Sequence, residues 1–313
     1  VTAYDQLISR AGSGSDPLVP EPVSTDIIQM LPTQCAILQR AKSVPMSTKT
    51  NRLPVLDVLP VAYWVGGDTG LKSTTRQQWK NVVLVAEELA TIVPIPEAYL
   101  ADADVPIWDE VRPRLAEAIG RKLDEAALFG LNRPSTWSPS IYEGANTATN
   151  TVTSGTGPDL GVDVASLGET LALDGYSVNG FIARPGLGWK LISMRSAQGI
   201  PIYNPDMQGT QGKTLYGYGL SEVDNGSWNA SEAELIAGDW SNALLGLRAD
   251  ISFKIFTEGV ISDDSGAVIL NLMQQDSVAM RVTMRVAFAT ANPVTELNAD
   301  SATRYPFGVL KTA

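Results

Sequence analysis

The sequence predicts an α+β protein, on three observations. Between Asp102 and Gly130, Ile107, Val111, Leu115, Ile119 and Leu123 recur every fourth residue and make one apolar helical stripe. Between Asp276 and Val294, Val278, Met280, Val282, Met284, Val286 and Phe288 alternate with other residues, as in a long strand with one buried face. Between them, from Leu160 to Ile261, short helical and strand-like runs are mixed with turns.

In chain order, residues 1–53 read as an arm without a core of its own. A Gly/Ser stretch (Gly12–Ser15) and Pro17, Pro20, Pro22, Pro32 and Pro45 interrupt it, and only Thr25–Leu38 suggests a short helix, ending before Pro32. Leu53–Val93 reads as a long β-hairpin around a Gly/Thr/Ser/Lys tip at Asp68–Thr75, with Tyr63, Trp64 and Trp79 exposed. A two-stranded ribbon is marginal in water, so it either packs on its own domain or projects and is completed by another chain. The helix follows, with Asp102 or Asp104 as candidate cap, Pro106 in the first turn and Gly130 as stop. Pro113 either kinks it or marks its true start. Residues 131–161 read as a loop with one short strand. Helices are expected at VDVASLGETLAL and GLGWKLISMRSAQG. Strands are expected at NGFIARP, GIPIY, LYGYGLSEV, AELIAGDW and VILNLM, with a strand pair in ALLGLRADISFKIF. Arg281 and Arg285 leave the final long strand on its polar face, and residues 298–313 read as a loose tail.

Composition narrows the function. The formal charge is −11 in 313 residues, with no basic run, which argues against tight binding of nucleic acid. The absence of histidine removes the commonest general base and metal ligand. The lone Cys35 excludes an internal disulfide or a cysteine zinc site and is expected as a small buried side chain. No apolar run approaches the ~18 residues of a membrane span, and the first residues lack signal-peptide regions; a cytoplasm-like compartment is expected.

Chemical motifs are sparse. GTQGKT at 209–214 lacks the first glycine of a phosphate loop, since Met207 stands there. Asp102/Asp104 and Asp263/Asp264 lack the spacing of a calcium loop. Asn225-Gly-Ser and Asn229-Ala-Ser read as turns. No catalytic, cofactor or metal site is expected.

An arm, a projecting two-stranded loop, a long helix ending in DEAALFG, a late α+β unit with GDW at 238–240, and the strand DSVAMRVTMRVAFATANP stand in that order. This resembles the major capsid protein of tailed bacteriophages with the Hong Kong 97-type fold, over roughly residues 50–297. The resemblance implies an N-terminal arm (1–53), an extended E-loop (54–89), a P-domain in two parts (90–159 with the spine helix, 275–297 with the long strand), an A-domain (160–274) and a C-terminal tail (298–313). It implies a non-enzymatic protein that self-assembles through pentamers and hexamers into an icosahedral shell enclosing double-stranded DNA without gripping it. The shell would be a virion capsid assembled in the host bacterial cytoplasm, without a membrane. A short arm implies a separate scaffolding protein, or one lost from a precursor; a portal and a decoration protein are further expected partners. Some relatives crosslink an E-loop lysine to a strand asparagine. Lys72 sits near the tip, but the strand offers Asp276 and Thr283, so no crosslink is expected. Expected inter-subunit contacts are Trp64, Lys72 and Trp79 on the loop and Arg281 and Arg285 on the strand. The alternatives are an encapsulin-type compartment shell of the same fold and, from another class, a soluble α+β enzyme or ligand-binding module.

Overall fold

The computed structural model describes residues 35–62, 64–65, 72, 74–103, 106–194, 213–263 and 265–313. The expected helix before Pro32, the GIPIY strand, the Asp104 cap and most of the loop tip and of GTQGKT fall outside those residues.

The described chain begins with α1 (Ala36–Arg40) and β1 (Lys42–Pro45), then the antiparallel pair β2 (Thr50–Val58) and β3 (Gln78–Val85). β4 (Glu87–Pro96) and the short α2 (Glu97–Asp102) lead into α3 (Ile107–Asp124). α3 runs through Pro113 and widens into a π-turn at Glu125–Phe129. Gly130 stops it with φ 77°, where a Cβ is unwelcome. Asp102 ends α2 instead of capping α3, whose start at Pro106 has no side-chain cap.

The long helix rests on a four-stranded sheet of order β1-β10-β13-β4, where β10 is Ala243–Phe256 and β13 is Ser277–Thr290. Met280, Val282, Met284, Val286 and Phe288 of β13 meet Leu115, Ile119 and Leu123 of the helix, all buried. Complete burial of such side chains contributes about 1.5–3 kcal/mol each. ALLGLRADISFKIF, expected as a strand pair, is the single strand β10. Its two register irregularities, between Leu247 and Ser252, bulge without turning the chain because pairing with β13 resumes on both sides.

A second sheet, of six strands, has the order β5-β14-β9-β6-β8-β7. Its strands are β5 (Thr151–Thr153), β6 (Gly180–Ala183), β7 (Thr214–Leu215), β8 (Tyr218–Glu222), β9 (Ala233–Gly238) and β14 (Phe307–Lys311). Alternate residues sort between its faces. Phe181, Leu235 and Leu310 meet α5 (Leu160–Leu173) and α6 (Leu187–Ser193), while Ile182, Ile236, Phe307 and Val309 join the core of the long helix. Both faces are therefore covered. The stretch 160–274 thus divides between the two sheets, since β10 pairs with β13 and not with β9. A small hairpin, β11 (Val260–Ser262) with β12 (Val268–Asn271), stands apart from both.

Three expectations are corrected. Residues 298–313 are not loose: β14 lies between β5 and β9, and Arg304, Phe307, Val309 and Leu310 are fully buried or nearly so. The end of the arm is likewise anchored, because β1 pairs with β10 and Cys35, Ala36 and Ile37 enter the main core. Residues 131–161 contain the helix α4 (Ile141–Thr147), whose Ser140 and Glu143 exchange side-chain-to-backbone hydrogen bonds in a capping box.

Cys35 is buried as expected but also donates to a carboxylate. Oδ1 of the fully buried Asp124 accepts from Cys35 Sγ (2.9 Å) and Ile37 N (3.0 Å), and Oδ2 from Ala36 N (3.0 Å) and Asn225 Nδ2 (2.7 Å). Asp124 thus caps α1 from across the fold. Burial pushes its carboxyl above the usual range, against the pull of these four hydrogen bonds.

Candidate functional site

The β2–β3 ribbon is built like a bracket, fixed at its root and bare beyond it. At the root Leu84 is completely buried, with Leu53, Val55 and Val82 packed against Met46, Ala86, Leu244, Ala287 and Ala289. On the polar face of β13 the ribbon root covers Ala287 and Ala289, and the face is most open at residues 281–285. Directional bonds hold the same end. Trp137 Nε1 donates to Val85 O (3.1 Å), Thr136 Oγ1 to Glu87 Oε1 (2.9 Å) and Ala86 N to Lys49 O (2.7 Å), and further along β2, opposite Trp79, Leu56 O accepts from Val294 N (3.0 Å).

Beyond the root the ribbon has no third strand among the described residues. β2 alone spans about 30 Å at ~3.3 Å per residue. Trp64 is as open as in a free peptide (101%), Val61 and Trp79 are 69% and 60% exposed, and Lys72 is exposed. One of the few bonds at this end joins Val61 N to Thr75 Oγ1 (2.8 Å). An isolated pair with that much apolar surface in water is unstable unless something covers it.

The two strand arginines are placed differently. Both leave the face of β13 away from the helix, but each has a partner in its own chain. Arg285 donates to Glu88 Oε2, directly opposite on β4, through Nε (2.8 Å), with Nη2 also at 2.8 Å. Arg281 stacks over the Phe256 ring, 4.8 Å from its centroid. The half-exposed Arg285–Glu88 pair contributes no more than about 1 kcal/mol. Trp64, Lys72 and Trp79 belong to the ribbon and the segment joining its strands, whereas Arg281 and Arg285 belong to β13 of the four-stranded sheet.

Little else invites chemistry. Among the described residues no cluster of three or more His, Cys, Asp or Glu side chains is placed to hold a metal, and no helix is long and apolar enough to cross a membrane. A cleft of about 340 Å³ beside α5 is lined by Val164, Ala165, Gly168, Phe181, Tyr216 and Tyr218. The Tyr216 hydroxyl at its rim is already spent on Gly161 O (2.8 Å). Lys213 of the glycine-rich motif bonds Glu222 Oε2 (2.7 Å). Asn225 and Asn229 each accept from a serine two residues on, as turn residues do. Asp124 and Arg304 are the functional-looking charges that sequence reasoning passes over. Asp124 is enclosed by residues far away in the chain, Cys35–Ile37 and Asn225, and Arg304 by the backbone carbonyls of its own connecting segment, which no spacing of residue types announces.

Comparison with known proteins places this geometry. Residues 16–294 match the phage capsid family. The major capsid protein of Staphylococcus phage 80alpha is 28% identical over 276 residues, covering 86% of this chain and 80% of the relative. Two solved structures align over nearly the whole chain. One, from Microbacterium phage Oxtober96, is 37% identical with a TM-score of 0.83 and covers 95% of this chain and 96% of its own. The other, from Mycobacterium phage Adephagia, is 30% identical with a TM-score of 0.85 and covers 98% and 99%. The capsid of a native GTA particle shares the fold at 18% identity and a TM-score of 0.69, over 98% of this chain and 100% of its own. With its arm root, bare ribbon, long helix on a four-stranded sheet and separate six-stranded sheet, this chain belongs to the phage capsid family and has the Hong Kong 97-type fold.

Proposed function

We propose that this chain is the major capsid protein of a tailed bacteriophage, and that copies of it complete one another's folds in a closed icosahedral shell around double-stranded DNA. The observation that carries the reading is the ribbon, held firmly at Leu84 and leaving Trp64 and Trp79 bare at its far end. A neighbouring copy is the natural cover, because closed symmetry repeats one contact around pentamers and hexamers. Trp64, Lys72 and Trp79 are the contacts this supports best. Arg281 and Arg285 are weaker candidates, since Phe256 and Glu88 of their own chain already engage them. The strand pair Thr50–Val58 and Gln78–Val85 supports an E-loop, proposed for residues 54–89, whose last residues Glu87–Leu89 already pair with β13, and the two sheets support P- and A-type regions, with β5 and β14 added to the second.

The charge of −11 suits a container whose contents must slide and leave, not a protein that grips phosphates. A separate scaffolding protein, a portal and a decoration protein complete the proposed set of partners, with assembly in the cytoplasm of the bacterial host. The relatives named above come from phages and a GTA particle, which favours a viral shell over an encapsulin compartment. Deleting Asp68–Thr75 tests the reading. The subunit should stay folded by circular dichroism and assemble poorly in negative stain; normal shells from the deleted chain would count against a projecting loop.

A further inference from the structure

Residues 291–306 connect β13 of one sheet to β14 of the other, and they are fastened more tightly than a connection requires. Arg304 lies at their centre, 1% exposed. It donates to three backbone carbonyls: Nε to Pro293 O (3.1 Å), Nη1 to Ala299 O (2.5 Å) and Nη2 to Asn292 O (3.4 Å). The Tyr176 hydroxyl sits 2.6 Å from Pro293 O and 2.8 Å from Asn292 Oδ1. Burial pushes that phenol up to about 12, against the opposing pull of Arg304. Asp174, just after α5, accepts from Tyr305 N (3.2 Å) and Asn298 Nδ2 (2.8 Å), and its carbonyl from Thr295 Oγ1 (2.6 Å). The segment is a strap tied to the end of α5.

Carbonyl dipoles alone leave a buried guanidinium without a counter-charge. Among the described residues the carboxylate within salt-bridge reach of Arg304 is Asp57, on the ribbon, with Oδ1 4.0 Å from Nη2. Asp57 is also where the ribbon's ladder breaks. The register passes from Leu56↔Trp79 to Val58↔Gln78, which leaves Asp57 bulged and without a cross-strand partner. Bulges re-aim side chains. The preceding carbonyl, Leu56 O, accepts from Val294 N of the strap. The bonds at Val85, Ala86 and Glu87 hold the ribbon at its base; the directional Val294–Leu56 hydrogen bond and the Arg304–Asp57 charge pair hold it a second time, further along β2 at the bulge, and two separated points of attachment fix an angle.

We propose that the strap 291–306 is a latch that sets the angle at which the ribbon leaves the subunit, through Val294–Leu56 and Arg304–Asp57. Its importance for shell geometry rests on the assembly role argued above; the latch itself is read on unassembled subunits. The test is hydrogen exchange of the full chain carrying Asp57→Asn, with Asp109→Asn, which removes an exposed carboxylate on α3, as the control. The amides of Thr50–Val58 and Gln78–Val85 are expected to exchange about tenfold faster in Asp57→Asn, while Ala233–Gly238 and Phe307–Lys311 keep their protection. Unchanged ribbon exchange would overturn the proposal. So would an equal rise everywhere, which would make the pair an ordinary part of the fold. If the unaltered chain forms no shells at all, the assembly reading fails while the exchange result still decides the latch.

Discussion

Replacing Asp124 with asparagine tests how the arm root is fixed. The carboxylate receives four donors, two of them backbone N–H groups of α1, in a site with no exposure. Asparagine keeps one acceptor oxygen and turns an NH2 group toward the donors on the other side. Hydrogen bonds to a charged group contribute about 1.5–3 kcal/mol each, and two are lost. Relief from burying an ion offsets part of this, which leaves a net cost of about 2–4 kcal/mol. At about 2.1 cal/mol/K per residue the unfolding entropy of a chain this long is about 0.7 kcal/mol/K, so the melting temperature should fall by about 3–6 °C. Differential scanning calorimetry of dilute, unassembled subunits reads it directly. Cys35→Ser, which keeps a donor, should lie much closer to the parent than Asp124→Asn does. An Asp124→Asn midpoint within about 1 °C of the parent would refute the reasoning.

Trp64→Ala and Trp79→Ala should leave the subunit's stability within about 0.5 kcal/mol, because both side chains are exposed. If each is a central contact of a neighbour's surface, sedimentation should show the critical concentration for assembly rising about tenfold or more. The Glu222 carboxyl lies below its ordinary range: burial opposes the shift, but the hydrogen bonds from Lys213 and Gly188 N outweigh it. A depressed carboxylate adds stability that is full above the unfolded pKa and is lost as pH falls through the lowered folded value. Glu222→Gln should therefore flatten that part of the acid melting curve, and an identical curve would remove Glu222 from the explanation. If, as the resemblance to crosslinking relatives implies, the strand offers Asp276 and Thr283 in place of an asparagine partner for Lys72, boiled, SDS-treated particles should run as single subunits; covalent ladders would contradict this.

What the sequence discloses depends on whether the cause of a structure is local. The stripe from Ile107 to Leu123 and the alternation from Val278 to Phe288 are local periodicities, and both elements stand where they were expected. Ala287 and Ala289 lie on the supposedly polar face, yet they are buried by a ribbon joined to that sheet through β4, which no window around β13 can reveal. The helix α4 had a local signal, the Ser140/Glu143 capping box, hidden in a stretch rich in Thr, Asn and Gly. β14 had almost none: YPFGVLK is a short apolar run whose meaning comes from Thr151–Thr153 and Ala233–Gly238, far back in the chain. Trp64 and Trp79 were legible as exposed because two strands cannot bury both of their faces. That Arg285 meets its own Glu88 becomes visible only once the β4–β13 register is known.

An image reconstruction of particles assembled from the purified chain bears most directly on the claim that copies of this subunit cover what each leaves bare. The account predicts closed shells in which the ribbon of every subunit lies across a sibling, with Trp64 and Trp79 buried there. Subunits that stay monomeric at high concentration, or shells whose ribbons fold back onto their own cores, would contradict it.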